Sequence, residues 1–539
     1  MPPSSYRHYR APRGEGEVLC DPKWSDLKRV WDANREAIKA AGPSIAGGDL
    51  RSWRIRARRE LFQLAFDYTR AYRDQLPDSS ISHEEAIPLV LAGHQPQMFH
   101  PGVWLKNMAL DRLARRTGAI AINLIIDNDT FRSATIRVPT GTVQDPRAES
   151  IPYDAAAEEL PYEERIIRDR DLATTFAPRV QQAIGGLVAD PMIADYWPLV
   201  LQAARSSDRW GLCLAQARHR VEERWGLSTL EVPLSQICET SMFREFASDV
   251  LARLPEFVRI YNESLADYRA AHRLRSGAHP VPNLEVNGDW LEAPFWMWTR
   301  ESPQRRRLFA RRTADGWELA DRVGWSGRLP AAESSSESVL STLAAWSKTG
   351  WKLRPRALTT TLFARMFLGD LFIHGIGGGK YDQVTERIAA AFYGCPLPQG
   401  AVVTGTWRLP IDRPALDARE PARLESDLRR LQFDPGFFLS RMESELPGET
   451  RPLLEQRRDW IGTESANADK QARHFALAQI RAALTPFAAN LRGEWEARRE
   501  EAARRARVEA LLGSREFSFA LFPEEFLRRR LLAFFVDKP

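Results

Sequence analysis

Three short segments carry the residue types that can hold an anion or move a proton. The first is Gly93-His94-Gln95-Pro96, followed by His100-Pro101-Gly102 and, a turn later, Lys106. Amides at a helix start and a nearby ammonium suit a phosphate, and the imidazoles could bind or protonate its oxygens. The same residues would also serve a tight strand-to-helix turn with two surface histidines. The second is Asp127-Asn128-Asp129. Two acids one residue apart can hold Mg2+ or a ribose hydroxyl pair; an Asx turn with a helix cap is the blander use. The third is His374-Gly375-Ile376-Gly377-Gly378-Gly379-Lys380, then Tyr381, with four glycines in five residues. Such a run lets backbone approach a ligand closely, with Lys380 as a cation; a flexible loop is the alternative. It has neither the Gly-Lys-Ser/Thr of a P-loop nor the dinucleotide glycine spacing.

These segments need elements to position them. Ile87–Ala92 is a short apolar run, read as a strand. From Pro101 to Arg116, apolar residues recur at helical spacing, with Pro101 suited to a first turn and Gly118 to a stop. Ala119–Ile126 is a second apolar strand ending in the acidic segment. Strand, loop, helix and strand in about 45 residues is a βαβ signature. Continuous apolar strands belong in a parallel sheet covered on both faces, and ligands then sit beyond the strands' carboxyl ends. Phe367–Ile373, interrupted by Asp370, reads as another strand, the glycine run as a turn, and Tyr381–Tyr393 as an amphipathic helix.

Elsewhere the pattern is coarser. Helical stretches are expected at Trp24–Ala41 and Leu50–Leu76, separated by Gly47-Gly48 and followed by a Pro77–Ser80 linker. Others lie at Ala194–Arg205, Leu212–Trp225 and Ser241–Arg275. Pro294–Trp298 reads as a buried strand, Arg307–Phe309 with Trp317–Leu319 as a hairpin, and Ser334–Ser338 as a loop. Arg305–Arg307 and Arg311-Arg312 could meet an acidic substrate, although charge runs usually face solvent. Beyond Pro410 the sequence is helical and charged. A stripe from Ala476 through Ile480, Ala483, Phe487 and Leu491 to Trp495 is divided by Pro486. The expected organisation is a helical region 1–80, an α/β core 81–410 with inserted segments at about 140–350, and a helical or coiled-coil region 411–539.

Composition bounds the class. Lys and Arg number 76 against 71 Asp and Glu, a net charge of +5 over 539 residues. That excludes a strongly basic nucleic-acid coat and an acidic disordered tail, and gives RNA binding little help. No apolar run is long enough for a membrane span, and residues 1–18 lack the apolar stretch of a signal peptide. The four cysteines are far apart without Cys-x-x-Cys, which argues against a disulfide framework or structural zinc. No Gly-x-Ser-x-Gly or His-Glu-x-x-His occurs. A cytoplasmic multi-domain protein is expected.

Taken in order, the segments resemble the BshC family, the cysteine ligases of bacillithiol biosynthesis. Gly93-His94-Gln95-Pro96, Pro101-Gly102-Val103 and Lys106 are similar to the family's Gly-Gln-Gln-Pro-Gly stretch and the helix start after it. Asp127-Asn128-Asp129-Thr130-Phe131 occupies the place of its acidic patch. Phe243–Phe246, Tyr261-Asn262 and Tyr268-Arg269 resemble its helical middle. Leu353-Arg354-Pro355 and Phe372–Gly377, with Tyr381, resemble its Leu-Arg-Pro and glycine-rich block. His94 replaces a glutamine, Gln97 a glycine, and Gly378 a carboxylate.

The resemblance implies a Rossmann-like core related to class I aminoacyl-tRNA synthetases, with a C-terminal coiled-coil arm that pairs subunits into a homodimer. It also implies a nucleotide-assisted ligase joining cysteine or another amino acid to an amino-sugar-type acceptor. ATP or ADP and Mg2+ are the cofactors to expect. His94, His100 and Asp129 would be catalytic. Gly93, Gln95, Gly102, Lys106, Asp127, His374, Gly375, Gly377, Gly378, Gly379, Lys380 and Tyr381 would bind substrate or nucleotide. Two other readings stand beside it: a non-catalytic nucleotide- or metabolite-binding protein, and a Mg2+-dependent nucleotidyl or glycosyl transferase using Asp127 and Asp129. All three require the three segments to converge on one rim.

Overall fold

The computed structural model describes residues 6–40, 44–45, 48–77, 87–330, 336–413, 417, 419–442, 446–462 and 469–535. Gly47, the Asp78–Ser80 part of the expected linker, and Ser334-Ser335 lie outside the described residues. Two compact units form: Met1–Val138 with Glu149–Leu409 and Arg515–Pro539, and Pro139–Ala148 with Pro410–Ser514.

The first unit is α/β. Its mostly parallel sheet contains β1 (Val18–Asp21), β2 (Leu89–His94), β3 (Ile120–Ile125), β4 (Leu230–Pro233), β10 (Leu371–His374) and β11 (Ala401–Gly405). Across the sheet the order is β1-β11-β10-β2-β3-β4. Only β1 runs antiparallel to its neighbour; the other pairs are parallel. The parallel strands therefore follow the order 3-2-1-4-5, shared with Rossmann-type sheets, and the order reverses between β2 and β10.

Both faces of this sheet are covered, as its apolar strands require. Helix α1 (Leu50–Arg70) buries Leu50, Trp53, Ala57, Leu61 and Ala65, spaced three or four apart, against Leu89, Leu91, Ile122 and Leu124. Each such large side chain contributes roughly 1.5–3 kcal/mol. Helix α2 (Pro101–Thr117) joins β2 to β3; His100 caps its start, Pro101 fills the first turn, and Gly118 ends it at φ 67°. Buried Asp370 locks β10 beside β2. Its carboxylate takes Arg58 Nη2 at 2.7 Å and the Leu89 amide at 3.0 Å, and its own amide donates to the Leu89 carbonyl.

Three local expectations are corrected. The strand expected over Phe367–Ile373 begins only at Leu371; Ala364–Leu368 is a π-helical turn. Phe367 is buried against Trp53, with ring centroids 4.5 Å apart, and a short buried apolar run reads alike in either conformation. The glycine run is no loop. Gly377, Gly378 and Gly379 form the first turn of α4 (Ile376–Phe392), and close packing excludes a side chain at Gly378 and Gly379. The helical stretch expected over Ser241–Arg275 is two helices, Ser241–Ala252 and Leu254–Ala271.

Between β4 and β10 an antiparallel sheet is built from β5 (Trp290–Trp298), β6 (Arg306–Thr313), β7 (Gly316–Ala320) and β8 (Ser326–Pro330), with β9 (Lys352–Pro355) beside β5. It contains the expected hairpin, with Phe309 opposite Ala320. Before β4, helix α3 (Trp210–Arg224) packs its length into the core. From Arg515 the chain belongs to the sheet unit; Phe519 donates its amide to Phe99 and packs its ring 4.4 Å from Trp104.

The second unit is largely helical: α5 (Glu420–Phe433), α6 (Thr450–Gly462), α7 (Asp469–Leu484) and α8 (Ala489–Leu512). Pro486 opens a 3-10 turn between α7 and α8, dividing them as its missing N–H requires. Among the described residues no helix is long and apolar enough to cross a membrane.

Candidate functional site

At the reversal point between β2 and β10 the strands end in Gly93-His94 and His374-Gly375. Lys106, one turn into α2, spans that gap. Its Nζ donates to the Gly93 carbonyl at 2.8 Å. A Cβ built on Gly375 would lie 3.8 Å from Lys106 Cδ and 3.9 Å from Cε. Lys106 is 1 % exposed, and among the described residues no carboxylate pairs with it. Burial, with Arg218 nearby, pulls its pKa down to about 7.

The helix that starts beyond Gly375 adds to this charge. Gly375 is its cap and has no side chain to satisfy the first amides. Gly379 N reaches the Gly375 carbonyl at 2.9 Å. The amides of Ile376, Gly377 and Gly378 have no partner among the described residues, as expected of a helix start. Gly377 has open space where a Cβ would be, whereas a Cβ on Gly378 would lie 2.9 Å from His374 Nδ1 and one on Gly379 2.2 Å from Val402 Cγ2. The glycines thus divide: Gly377 leaves the helix start open, and Gly378 and Gly379 permit packing. Half-buried Lys380 and Tyr381 follow in the same helix; the Tyr381 ring meets His279 edge-on.

The first and second segments meet directly. Ile126 donates its amide to the His94 carbonyl at 2.9 Å, and Gln95 Nε2 donates to Asp129 Oδ2 at 2.8 Å. His94 Nδ1 lies 3.0 Å from the Gln95 carbonyl. A carbonyl only accepts, so Nδ1 carries the proton and Nε2 a lone pair. Burial and the Lys106 charge drive the imidazole pKa well below its usual value. His94 is thus neutral and offers an acceptor, which suits a proton donor better than a phosphate oxygen.

His100 does other work. Its Nδ1 accepts the Gly102 amide at 3.1 Å, capping α2, while Arg515 and Glu516 face its Nε2. Burial and the Arg515 charge push its pKa down to about 4. Gly102 is required by packing, since a Cβ there would fall 2.0 Å from the Gly405 carbonyl oxygen. His374 belongs to a separate cavity of about 330 Å3 beside α4, where its Nε2 sits 2.9 Å from Asp382 Oδ2.

The two acids diverge. Asp129 takes Gln95, Arg305 Nη1 at 3.0 Å and the Thr130 amide. Asp127 is buried and accepts the Ser235 amide at 2.8 Å and the Ser235 hydroxyl. They do not form a joint donor pair for Mg2+. Among the described residues one group has metal-ligand spacing: His219, Glu222 and Glu231. Arg218 bridges both carboxylates, Trp104 and Asn107 donate to Glu222, and Tyr72 and Arg73 occupy the two ring nitrogens of His219. This is a balanced strut fastening α3 to the sheet.

Sequence reading missed the surroundings of Asp127. A cavity of about 310 Å3 opens beside it, lined also by Tyr162, Glu163, Ser235, Glu239, Lys352 and Arg354. These come from three separate stretches of chain and form no local motif; the sequence singles out Arg354 alone among them, for its place in Leu353-Arg354-Pro355. No protein-family model matches the chain, and no curated protein matches it.

Proposed function

We propose that the protein is a nucleotide-assisted ligase that joins cysteine or another amino acid to an amino-sugar-type acceptor, with the phosphates of ATP or ADP held where β2 and β10 part. One observation carries the reading: Lys106 is a buried ammonium with no carboxylate partner among the described residues, beside the open amides of a helix start. An uncompensated buried charge is costly, and an anionic ligand supplies what it lacks. The parallel strand order, with its reversal at this place, supports the same site.

In this reading ATP transfers a phosphoryl or adenylyl group to the amino acid's carboxylate. The acceptor amine then attacks the activated carbonyl carbon. The C–N bond forms as the C–O bond to phosphate breaks, and the leaving oxygen keeps the electron pair. Lys106 and the Ile376–Gly378 amides stabilise the phosphate charge, the term usually largest in such sites. In this reading the neutral His94 Nε2 takes the proton that the amine gives up. No step is routed through Mg2+, because Asp127 and Asp129 are turned to different partners.

The test is titration of the full chain with ATP and ADP, followed by assay for AMP, ADP or phosphate release with cysteine and glucosaminyl acceptors. Lys106→Met should abolish nucleotide binding and turnover, and His94→Ala should abolish turnover while sparing binding. Binding without turnover for any acid and amine pair would favour a non-catalytic nucleotide-binding protein. One observation favours that second reading: His100 and Asp129 are committed to a helix cap and to Gln95 and Arg305. The four thiols are all free, which suits a reducing cytoplasm.

A further inference from the structure

Asp127 and Ser235 lie just beyond the carboxyl ends of the adjacent parallel strands β3 and β4. Two hydrogen bonds from Ser235 fix the carboxylate, which is 1 % exposed and has no cation paired to it among the described residues. The cavity of about 310 Å3 lies against it. The cations that line this cavity are already engaged. Arg354 grips Glu163 through two bonds of 2.8 and 2.9 Å and reaches Glu239 at 2.9 Å. Lys352 Nζ lies 3.1 Å from Glu163 and also binds Glu164. Arg209 stands 3.8 Å from Glu164. Glu163 is neutralised by its partners and Asp127 is not. The cavity therefore presents one buried, unpaired carboxyl group among polar walls, with the Tyr162 ring, Leu212 and Pro233 as its apolar side.

We propose that this cavity is the binding site for a small molecule's ammonium group, with Asp127 as its counter-ion. Naming that molecule as the amino-sugar acceptor rests on the ligase reading; the recognition of an ammonium group does not. The site is distinct from the anion crevice but joined to it. Glu163 donates its amide to the Asp127 carbonyl, Tyr162 donates its amide to the Asp129 carbonyl and its hydroxyl to Gln97, and Gln95 holds Asp129. Hydrogen bonds thus tie the turn that carries His94 and Gln95 to the segments that line the carboxylate cavity. Burial, then repulsion from Glu163, raises the Asp127 pKa to about 7 against the opposing Ser235 bonds and Arg354. Cys238 and Tyr68 face the same carboxyl and are themselves held neutral by burial. An arriving ammonium displaces the proton.

The probe is calorimetric titration at pH 7 with D-glucosamine, N-acetyl-D-glucosamine and L-cysteine ethyl ester, without nucleotide. Wild type should bind at least one of the two amines, and N-acetylglucosamine about tenfold or more weakly than glucosamine if glucosamine is the one bound. Asp127→Asn keeps the shape and removes the charge, so amine affinity should fall about tenfold. Lys106→Met should bind amine as wild type does while losing ATP. If Asp127→Asn fails to fold, the wild-type profile carries the test, since glucosamine affinity should climb about fivefold from pH 6 to 7 as the carboxyl ionises. Absence of binding by both amines overturns the proposal. So does equal affinity for the acetylated sugar, an unaffected Asp127→Asn, a flat pH profile, or equal loss in Lys106→Met. Amine binding that survives where ATP fails to bind would leave this site standing and sink the nucleotide reading.

Discussion

Lys106 sets function against stability in one side chain. In the unfolded chain its ammonium titrates near 10.5, whereas in the fold burial brings it to about 7. The unfolded state therefore binds more protons between those values, and this group's contribution to stability rises with pH across that window. Lys106→Met removes the buried charge while keeping length and apolar contact. It should stabilise the protein by roughly 1–3 kcal/mol at pH 7, and the gain over wild type should shrink by pH 9–10, read by thermal melts of both proteins. A variant that is less stable at pH 7 would mean that the ammonium's bond to Gly93 outweighs its desolvation. Ligand binding has the opposite slope. An anion binds the protonated form, so nucleotide affinity should fall above pH 7, by up to about tenfold per unit. Affinity flat from pH 6.5 to 8.5 would remove Lys106 from the site.

At the scale of elements, the glycines at the start of α4 separate packing from binding. Gly379→Ala drives a methyl to 2.2 Å from Val402 Cγ2 in β11, and overpacking of this kind costs about 1–3 kcal/mol. Gly377→Ala meets open space and gains roughly 0.5–1 kcal/mol of helix propensity. Helical Cβ atoms tilt toward the N-terminus, so its methyl should weaken nucleotide binding while the melting temperature rises. Equal destabilisation by both changes would contradict the division. These glycines also mark where sequence reading stopped. The β2–α2–β3 unit was legible because its strands are short apolar runs, Pro101 opens the helix and Gly118 closes it. The glycine run reads as a loop by propensity and is helical by packing, because the close neighbours Val402 and His374 lie elsewhere in the sequence or on the preceding strand. Of the site, Lys106 and Asp127 were legible as charges near strand ends. Their burial was not, nor was the cavity beside Asp127, since Glu163, Ser235, Lys352 and Arg354 are brought together only by tertiary folding.

At the scale of the whole molecule, the homodimer that the resemblance implies would need a surface to meet a second copy. The resemblance assigns that role to a coiled-coil arm, and α8 is the long charged helix such an arm needs. Several of its charges, however, are paired within its own unit. Glu420 at the start of α5 pairs with Arg498 and Arg505, and Glu509 pairs with Arg413. The same unit instead exposes large apolar side chains: Phe433 at 62 %, Ile461 at 46 % and Phe475 at 65 %. Phe433 and Ile461 line one cavity of about 230 Å3, with Leu477 and Ile480. Exposed apolar groups gathered around a concavity mark association surfaces, and a twofold homodimer uses the same patch on both partners. If the chain pairs as the resemblance implies, this patch is the surface to test. Sedimentation should then give twice the 61.3 kDa chain mass. Phe433→Asp with Ile461→Asp should give monomers whose melting temperature changes little beyond the loss of association, because both side chains already face solvent in the single chain. A dimer that survives this double change, but is broken by charge reversal along α8, would return the contact to the charged helix.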